Sequence, residues 1–273
     1  MELHPYRGRW RPDLAEPEGL DAHRSVAIGR DNTSTKVYRL NSLGYRGEEF
    51  EPDAPIKLFV CGCSNTFGLG VELEESWPFL FKQKLAQQRG LPESSVNLMN
   101  FAEIGASNDY ISRTLIEQSA RVRPDLIVAA FTYWNRFELL DRAQSVGYGP
   151  WRVEQDDPDD LTKRAKYLLL GTDTSQEKIR LIRNVLLLQY FCQTKDVPFV
   201  FLFVQPLARS DLFAALAPLF EQADLASSTS IEPYIITVDR AVDGTHPGPR
   251  AHELIAEAAW RTFSVRYGEL GGT

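Results

Sequence analysis

Four short stretches carry residues able to do chemistry: Gly62-Cys63-Ser64, Gly105-Ala106-Ser107-Asn108, Tyr133-Trp134-Asn135-Arg136 and Asp243-Gly244-Thr245-His246-Pro247. Asp243 and His246 stand three residues apart, so one turn of chain can aim both side chains at the same point. A serine well upstream of such a pair suits nucleophilic acyl chemistry. The imidazole takes the serine proton, and the carboxylate fixes the imidazole tautomer. The chain has four histidines. His4 lies in a proline-broken opening, and His252 reads as a face residue of the closing helix. Each stretch alone also reads as ordinary turn chemistry. Their common position, after strands at one sheet edge, is what joins them.

The elements that must hold them follow from the apolar pattern. Leu58–Gly62 runs without a polar break, as in a strand buried on both faces, then stops at small polar residues. A hydroxyl at the carboxyl end of such a strand faces the crevice where open α/β sheets hold ligands. Further strands are expected at Val96–Phe101, Asp125–Thr132, Pro198–Val204 and Ile235–Val238. Helices are expected from Ser76, as cap with Pro78 in the first turn, to Gly90, and from Ser107 or Asn108 onward. Thr174-Ser-Gln-Glu177 has capping-box spacing and opens a long helix with Ile179, Ile182, Val185, Leu186, Gln189 and Tyr190 on its buried side. A short helix over Asp211–Ala223 and a closing one over Pro249–Val265 complete the set. Five strands alternating with helices imply a parallel sheet covered on both faces.

The 273 residues, 43% hydrophobic and 25% charged, suit one large α/β domain with an extension. Such a chain buries about three quarters of its unfolded surface and needs no disulfide or metal staple. The net charge of −7 argues against nucleic acid. Three cysteines make no disulfide framework, and Cys61-x-Cys63 is too tightly spaced for the usual zinc pair. Gly68-Leu69-Gly70 is followed by no Gly-Lys-Ser/Thr, so phosphate cradling is not expected. No metal and no cofactor are therefore expected. The opening lacks a secretory apolar segment, and no apolar run could span a bilayer, so a cytoplasmic, reduced protein without membrane insertion is expected.

Residues 1–54 show only one strand-like piece, Lys36–Leu40, and a turn-rich connector, Asn41–Gly47. They read as an arm packed on a main domain over 55–273; the alternative is that Tyr45 or Arg46 reaches the site. Residues 138–173, with Asp156, Asp157, Asp159 and Asp160, read as an irregular acidic insertion, either a solvated loop or a lid. The aromatics Phe131, Tyr133, Trp134 and Phe137 either line an acyl pocket or fill core.

Gly62-Cys63-Ser64 with Thr66 and Gly68, Asn100 with Gly105 and Asn108, and Asp243-x-x-His246-Pro247 together resemble the SGNH/GDSL hydrolase superfamily, over about residues 57 to 262. The resemblance implies a flavodoxin-like three-layer α/β/α sandwich with a five-stranded parallel sheet. It also implies ester or thioester hydrolysis without metal. By position Ser64 resembles the nucleophile, His246 the base and Asp243 its partner, with Ser64 and Gly105 as backbone oxyanion donors. Two departures stand out. Cys63 replaces the common aspartate, and Tyr133-Trp134-Asn135-Arg136 replaces a Gly-x-Asn-Asp turn. Asn135 is then the candidate third oxyanion donor, with Arg136 as its substitute or as a binder of an acidic group. Asn108, Trp134 and Arg136 are candidate substrate contacts. The expected partner is a small-molecule ester, for instance one bearing a short acyl group on a carbohydrate or secondary metabolite. An acyltransferase using the same triad and a non-catalytic binding protein are the alternatives. The oligomeric state is left open.

Overall fold

Runs with buried, mostly apolar centres build the sheet. The computed structural model describes residues 2–3, 23–28, 34–140, 145–148, 174–205, 217–223 and 229–268. Strands β1 (His23–Ile28) and β2 (Ser34–Arg39) form an antiparallel hairpin. Strands β3 (Ile56–Cys61), β4 (Val96–Asn100) and β5 (Leu126–Phe131) belong to the main sheet. So do β8 (Phe199–Phe203) and the two-residue β9 (Thr229–Ser230), while β6 (Phe137–Leu140) and β7 (Ser145–Tyr148) pair separately. The main sheet is parallel throughout, in the order β4-β3-β5-β8-β9. Counted along the sheet strands alone, this is the flavodoxin-like order 2-1-3-4-5. Its switch point lies between β3 and β5, the place where sheets of this order bind ligands outside the carboxyl ends of the strands.

Helices cover both faces, giving a three-layer α/β/α sandwich. On one face α2 (Trp77–Gln88) packs against α7 (Pro249–Tyr267). On the other, α3 (Asn108–Arg121) packs against α4 (Thr174–Thr194). The short helices are α1 (Ser64–Phe67), α5 (Ala217–Gln222) and α6 (Glu232–Thr237). Between the layers Phe131 stacks on Phe203 and meets Phe201 edge-on, each pair at 5.3 Å.

Several expectations need correction. Ile235–Val238 is not the fifth strand: Glu232–Thr237 is helical, with Pro233 in its first turn, and the edge strand is Thr229–Ser230. Proline pre-sets the helical φ there and lacks the N–H a strand would donate. The buried face of α4 is made by Leu181, Ile182, Asn184, Val185, Leu188 and Cys192, and Tyr190 is 70% exposed. Ser76 precedes α2 without capping it, since its hydroxyl donates to the Leu73 carbonyl instead. The Trp77 N–H is accepted by Nδ1 of His252 at 3.1 Å, so a residue on α7 supplies the cap. The opening segment holds a hairpin, not a single strand. The expected acidic insertion starts as the β6–β7 pair, and its residues 141–144 and 149–173 lie outside the described ones, as do 211–216 of the expected short helix.

Candidate active site

The turn after β3 is shaped by glycine. A Cβ at Gly62 would lie 2.0 Å from Oγ1 of Thr66, so the chain can fold α1 back over residue 62 only if that residue is glycine. Buried Cys63 stands at the N-cap in extended conformation, and Ser64 becomes the first residue of α1. Its N–H is one of the amides a helix start leaves without an intrahelical carbonyl. The Asn100 amide donates to the Thr66 carbonyl at 3.0 Å and accepts the Ala102 N–H at 3.1 Å. It thereby ties the serine turn to the end of β4. Glu103 N–H bonds the Gly62 carbonyl, and a turn from Glu103 to Ala106 places Gly105 at φ +80°.

The second half of the site is the loop from Asp239 to Gly248. It is closed by Ala241 N–H to the His246 carbonyl and Gly248 N–H to the Asp239 carbonyl. The Arg240 guanidinium bonds the Ile235, Ile236 and Thr245 carbonyls. Asp239 accepts the Arg250 and Ala251 N–H groups at the start of α7. Within this frame Oδ1 of Asp243 accepts the N–H groups of Thr245 and His246, each at 2.9 Å. Its Oδ2 lies 2.5 Å from Nδ1 of His246. Nε2 of His246 lies 3.0 Å from Oγ of Ser64, across 182 residues of sequence.

Burial pushes the Asp243 carboxyl up. The hydrogen bonds from the His246 ring and from the His246 and Thr245 amides outweigh it and hold the pKa at about 2. An ionised Asp243 can only accept, so Nδ1 of His246 carries the proton and Nε2 presents its lone pair to the Ser64 hydroxyl.

The structure thus brings together Ser64, His246 and Asp243. Asn108 has a different role. Its amide accepts the Thr132 N–H at 2.8 Å and donates to the Thr132 and Tyr133 carbonyls at 3.3 Å. Asn108, with 1% exposure, shapes the turn after β5. Asn135 lies in the middle of that turn, closed by Arg136 N–H to the Tyr133 carbonyl. Trp134, Asn135 and Arg136 are half-buried, with the Arg136 guanidinium 5.0 Å over the Tyr133 ring and Lys178 5.3 Å over Trp134. The aromatics divide accordingly. Phe131 and Phe137 are core, whereas Tyr133 and Trp134 stay partly exposed.

Sequence reading missed Tyr38, Gly70, Asp239 and Arg240. The Gly70 N–H donates to Oη of Tyr38 at 2.8 Å, and a Cβ on Gly70 would lie 2.5 Å from that of Ala241 and 3.5 Å from Cγ of Asp243. The only sequence signals were the glycine itself and the proximity of Asp239 and Arg240 to Asp243. The three cysteines are free and buried, and no group of residues able to hold a metal occurs among the described residues. No helix among them is long and apolar enough to cross a membrane.

No protein-family model and no curated protein sequence matches the chain. Solved structures do. TesA is similar at 16% identity over 77% of this chain and 98% of its own, with a TM-score of 0.47. The esterase EstA from Pseudoalteromonas, inhibited by monoethylphosphonate, gives 13% over 77% and 97%, with 0.46. The acetyl xylan esterase AlAXEase gives 15% over 76% and 98%, with 0.44. Likeness this distant carries no function across. What the site can do follows from its own geometry.

Proposed function

We propose that this chain is a serine esterase of the SGNH/GDSL kind. The observation that carries the reading is the unbroken line from Ser64 Oγ through His246 to the Asp243 carboxylate, at the carboxyl edge of a parallel sheet. In the proposed cycle Ser64 attacks an ester carbonyl while Nε2 of His246 takes its proton. The alcohol leaves with that proton, giving an acyl-serine. Water then repeats the step, with His246 again as base, and releases the acid. Asp243 stays ionised and stabilises the imidazolium that forms each time.

The backbone N–H groups of Ser64 and Gly105 are the proposed oxyanion donors, with Asn135 as the third. Each such donor contributes roughly 3 kcal/mol to the transition state. No metal or cofactor enters the scheme. Residues 1–54 are the arm and 55–273 the catalytic domain in this reading, and a small-molecule ester with a short acyl group is the proposed substrate class.

The test is turnover of para-nitrophenyl acetate, butyrate and octanoate by the wild type and by Ser64→Ala, with a fluorophosphonate label mapped by mass spectrometry. Wild-type turnover, label on Ser64 and a loss of about 10³-fold or more in the variant are expected. A Ser64→Ala protein that keeps its rate, or a wild type that takes no label, would end the serine mechanism.

A further inference from the structure

Arg46 is a buried cation, 4% exposed, in the arm that precedes the sheet domain. Its loop is built to present it. The Asn41 amide accepts the Leu43 and Tyr45 N–H groups and donates to the Glu48 carbonyl, while Gly44 and Gly47 take left-handed φ of +87° and +127°. Among the described residues no carboxylate lies within ion-pairing distance of the guanidinium. Its partners are carbonyls. Nη1 donates to Phe67 O at 2.7 Å and Gly68 O at 2.5 Å, and Nη2 to Val71 O at 2.8 Å. The plane lies 4.6 Å from the Tyr38 ring centroid and 5.3 Å from that of Phe67.

Those carbonyls belong to the exit of α1, the four-residue helix whose first residue is Ser64. A helix this short has no length to hold its own orientation, because nearly all its polar groups are terminal. One planar fork binds the carbonyl of the helix's last residue, Phe67, that of its cap, Gly68, and that of Val71 beyond. The fit is close on every side, as a Cβ at Gly68 would lie 2.7 Å from Nη1. From Gly68 the chain runs to Gly70, whose amide is fixed by Tyr38 and whose missing side chain leaves room for Ala241 beside Asp243. Arg46 and Tyr38 therefore underlie both the serine turn and the wall of the Asp243 loop. Burying an unpaired cation is costly, so a fold that needed only packing here would use an apolar side chain.

We propose that Arg46 is a positioning residue for the acyl transfer argued above: it clamps the Phe67–Val71 turn so that Ser64 Oγ stays on Nε2 of His246. The inference rests on the esterase reading. It assigns the arm a part in catalysis that covering the core would not require.

The test uses the full chain carrying Arg46→Lys or Arg46→Ala. The second-order rate of fluorophosphonate labelling at Ser64 is measured per folded molecule, with kcat and KM on para-nitrophenyl acetate. Lysine keeps the charge but cannot reach three carbonyls in one plane. Labelling rate and kcat in Arg46→Lys are expected to fall roughly tenfold to hundredfold, with KM held within about twofold. Added ethylguanidinium is expected to restore part of the Arg46→Ala rate by entering the vacated space. Folded variants that label at the wild-type rate would overturn the inference while leaving the esterase reading intact. Loss of folding in both variants would overturn it too, by reducing Arg46 to a requirement of the fold. A wild type that takes no label removes the esterase reading first, and the inference with it.

Discussion

Asp243 divides two roles between its two oxygens. Oδ1 accepts two backbone N–H groups and so shapes the loop, while Oδ2 meets Nδ1 of His246. Asp243→Asn separates the roles. An asparagine Oδ1 still accepts the Thr245 and His246 amides, and the loop survives. Its NH₂, however, donates toward Nδ1, which forces the ring proton onto Nε2, and Nε2 can then no longer accept from Ser64. Esterase kcat is expected to fall on the order of 10³- to 10⁴-fold, with KM close to wild type. A loss below about tenfold would mean that Asp243 holds the loop and does not set the tautomer. Ser64, Asp243 and His246, which the structure brings within hydrogen-bonding reach of one another, were picked out of sequence by their order and shared position, since each stretch alone reads as turn chemistry. The part played by Arg46 was not: the sequence offered it, with Tyr45, only as a residue that reaches the site, and Tyr38 only as part of a strand. An arginine's value here depends on carbonyls 21 to 25 residues away, and no local pattern encodes those.

Elements were legible where one strong signal acted alone. The strands β3, β4, β5 and β8 read correctly because a run buried on both faces has no other economical place. Helix α4 is apolar on most sides across Leu181–Leu188, so its sequence carried little direction. Asn184 decides the matter by donating to Asp109 at 2.8 Å, a contact that turns a polar residue inward. The β-branched run at Ile235–Val238 matched a strand, but Pro233 and the Thr237 hydroxyl bonded to its carbonyl hold a helical turn. Asn108 joins two elements, the start of α3 and the turn after β5. Asn108→Ala would strand a buried N–H and its neighbouring carbonyls, at a cost of about 2 kcal/mol. A lower melting temperature with KM unchanged is expected. A raised KM at wild-type stability would instead return Asn108 to the ligand.

At the scale of the molecule, His252 links α7 to the first amide of α2, 175 residues away in sequence. Burial, reinforced by the positive charge of Arg46, lowers its pKa from 6.5 to about 3. The native state therefore keeps His252 neutral where the unfolded chain protonates it. The sign follows: a folded pKa below the unfolded one means that U binds more protons, so stability rises with pH. The contribution is complete above about pH 6.5 and drains away as pH falls toward 3. Asp243 acts in the same direction but lower, between its ordinary 3.8 and about 2, where protonation costs the native state its carboxylate. The two windows barely overlap, so they can be separated. Between pH 7 and pH 5 only the histidine acts, and 1.5 units correspond to roughly 2 kcal/mol. Urea unfolding at those two pH values should show that loss in the wild type and a clearly smaller one in His252→Gln, whose amide oxygen can still accept the Trp77 N–H. Carboxylates elsewhere contribute equally to both proteins, which makes the difference between them the informative quantity. Equal losses would mean that His252 is protonated in the folded protein without cost, and that the cap on α2 does not bind the two helices together.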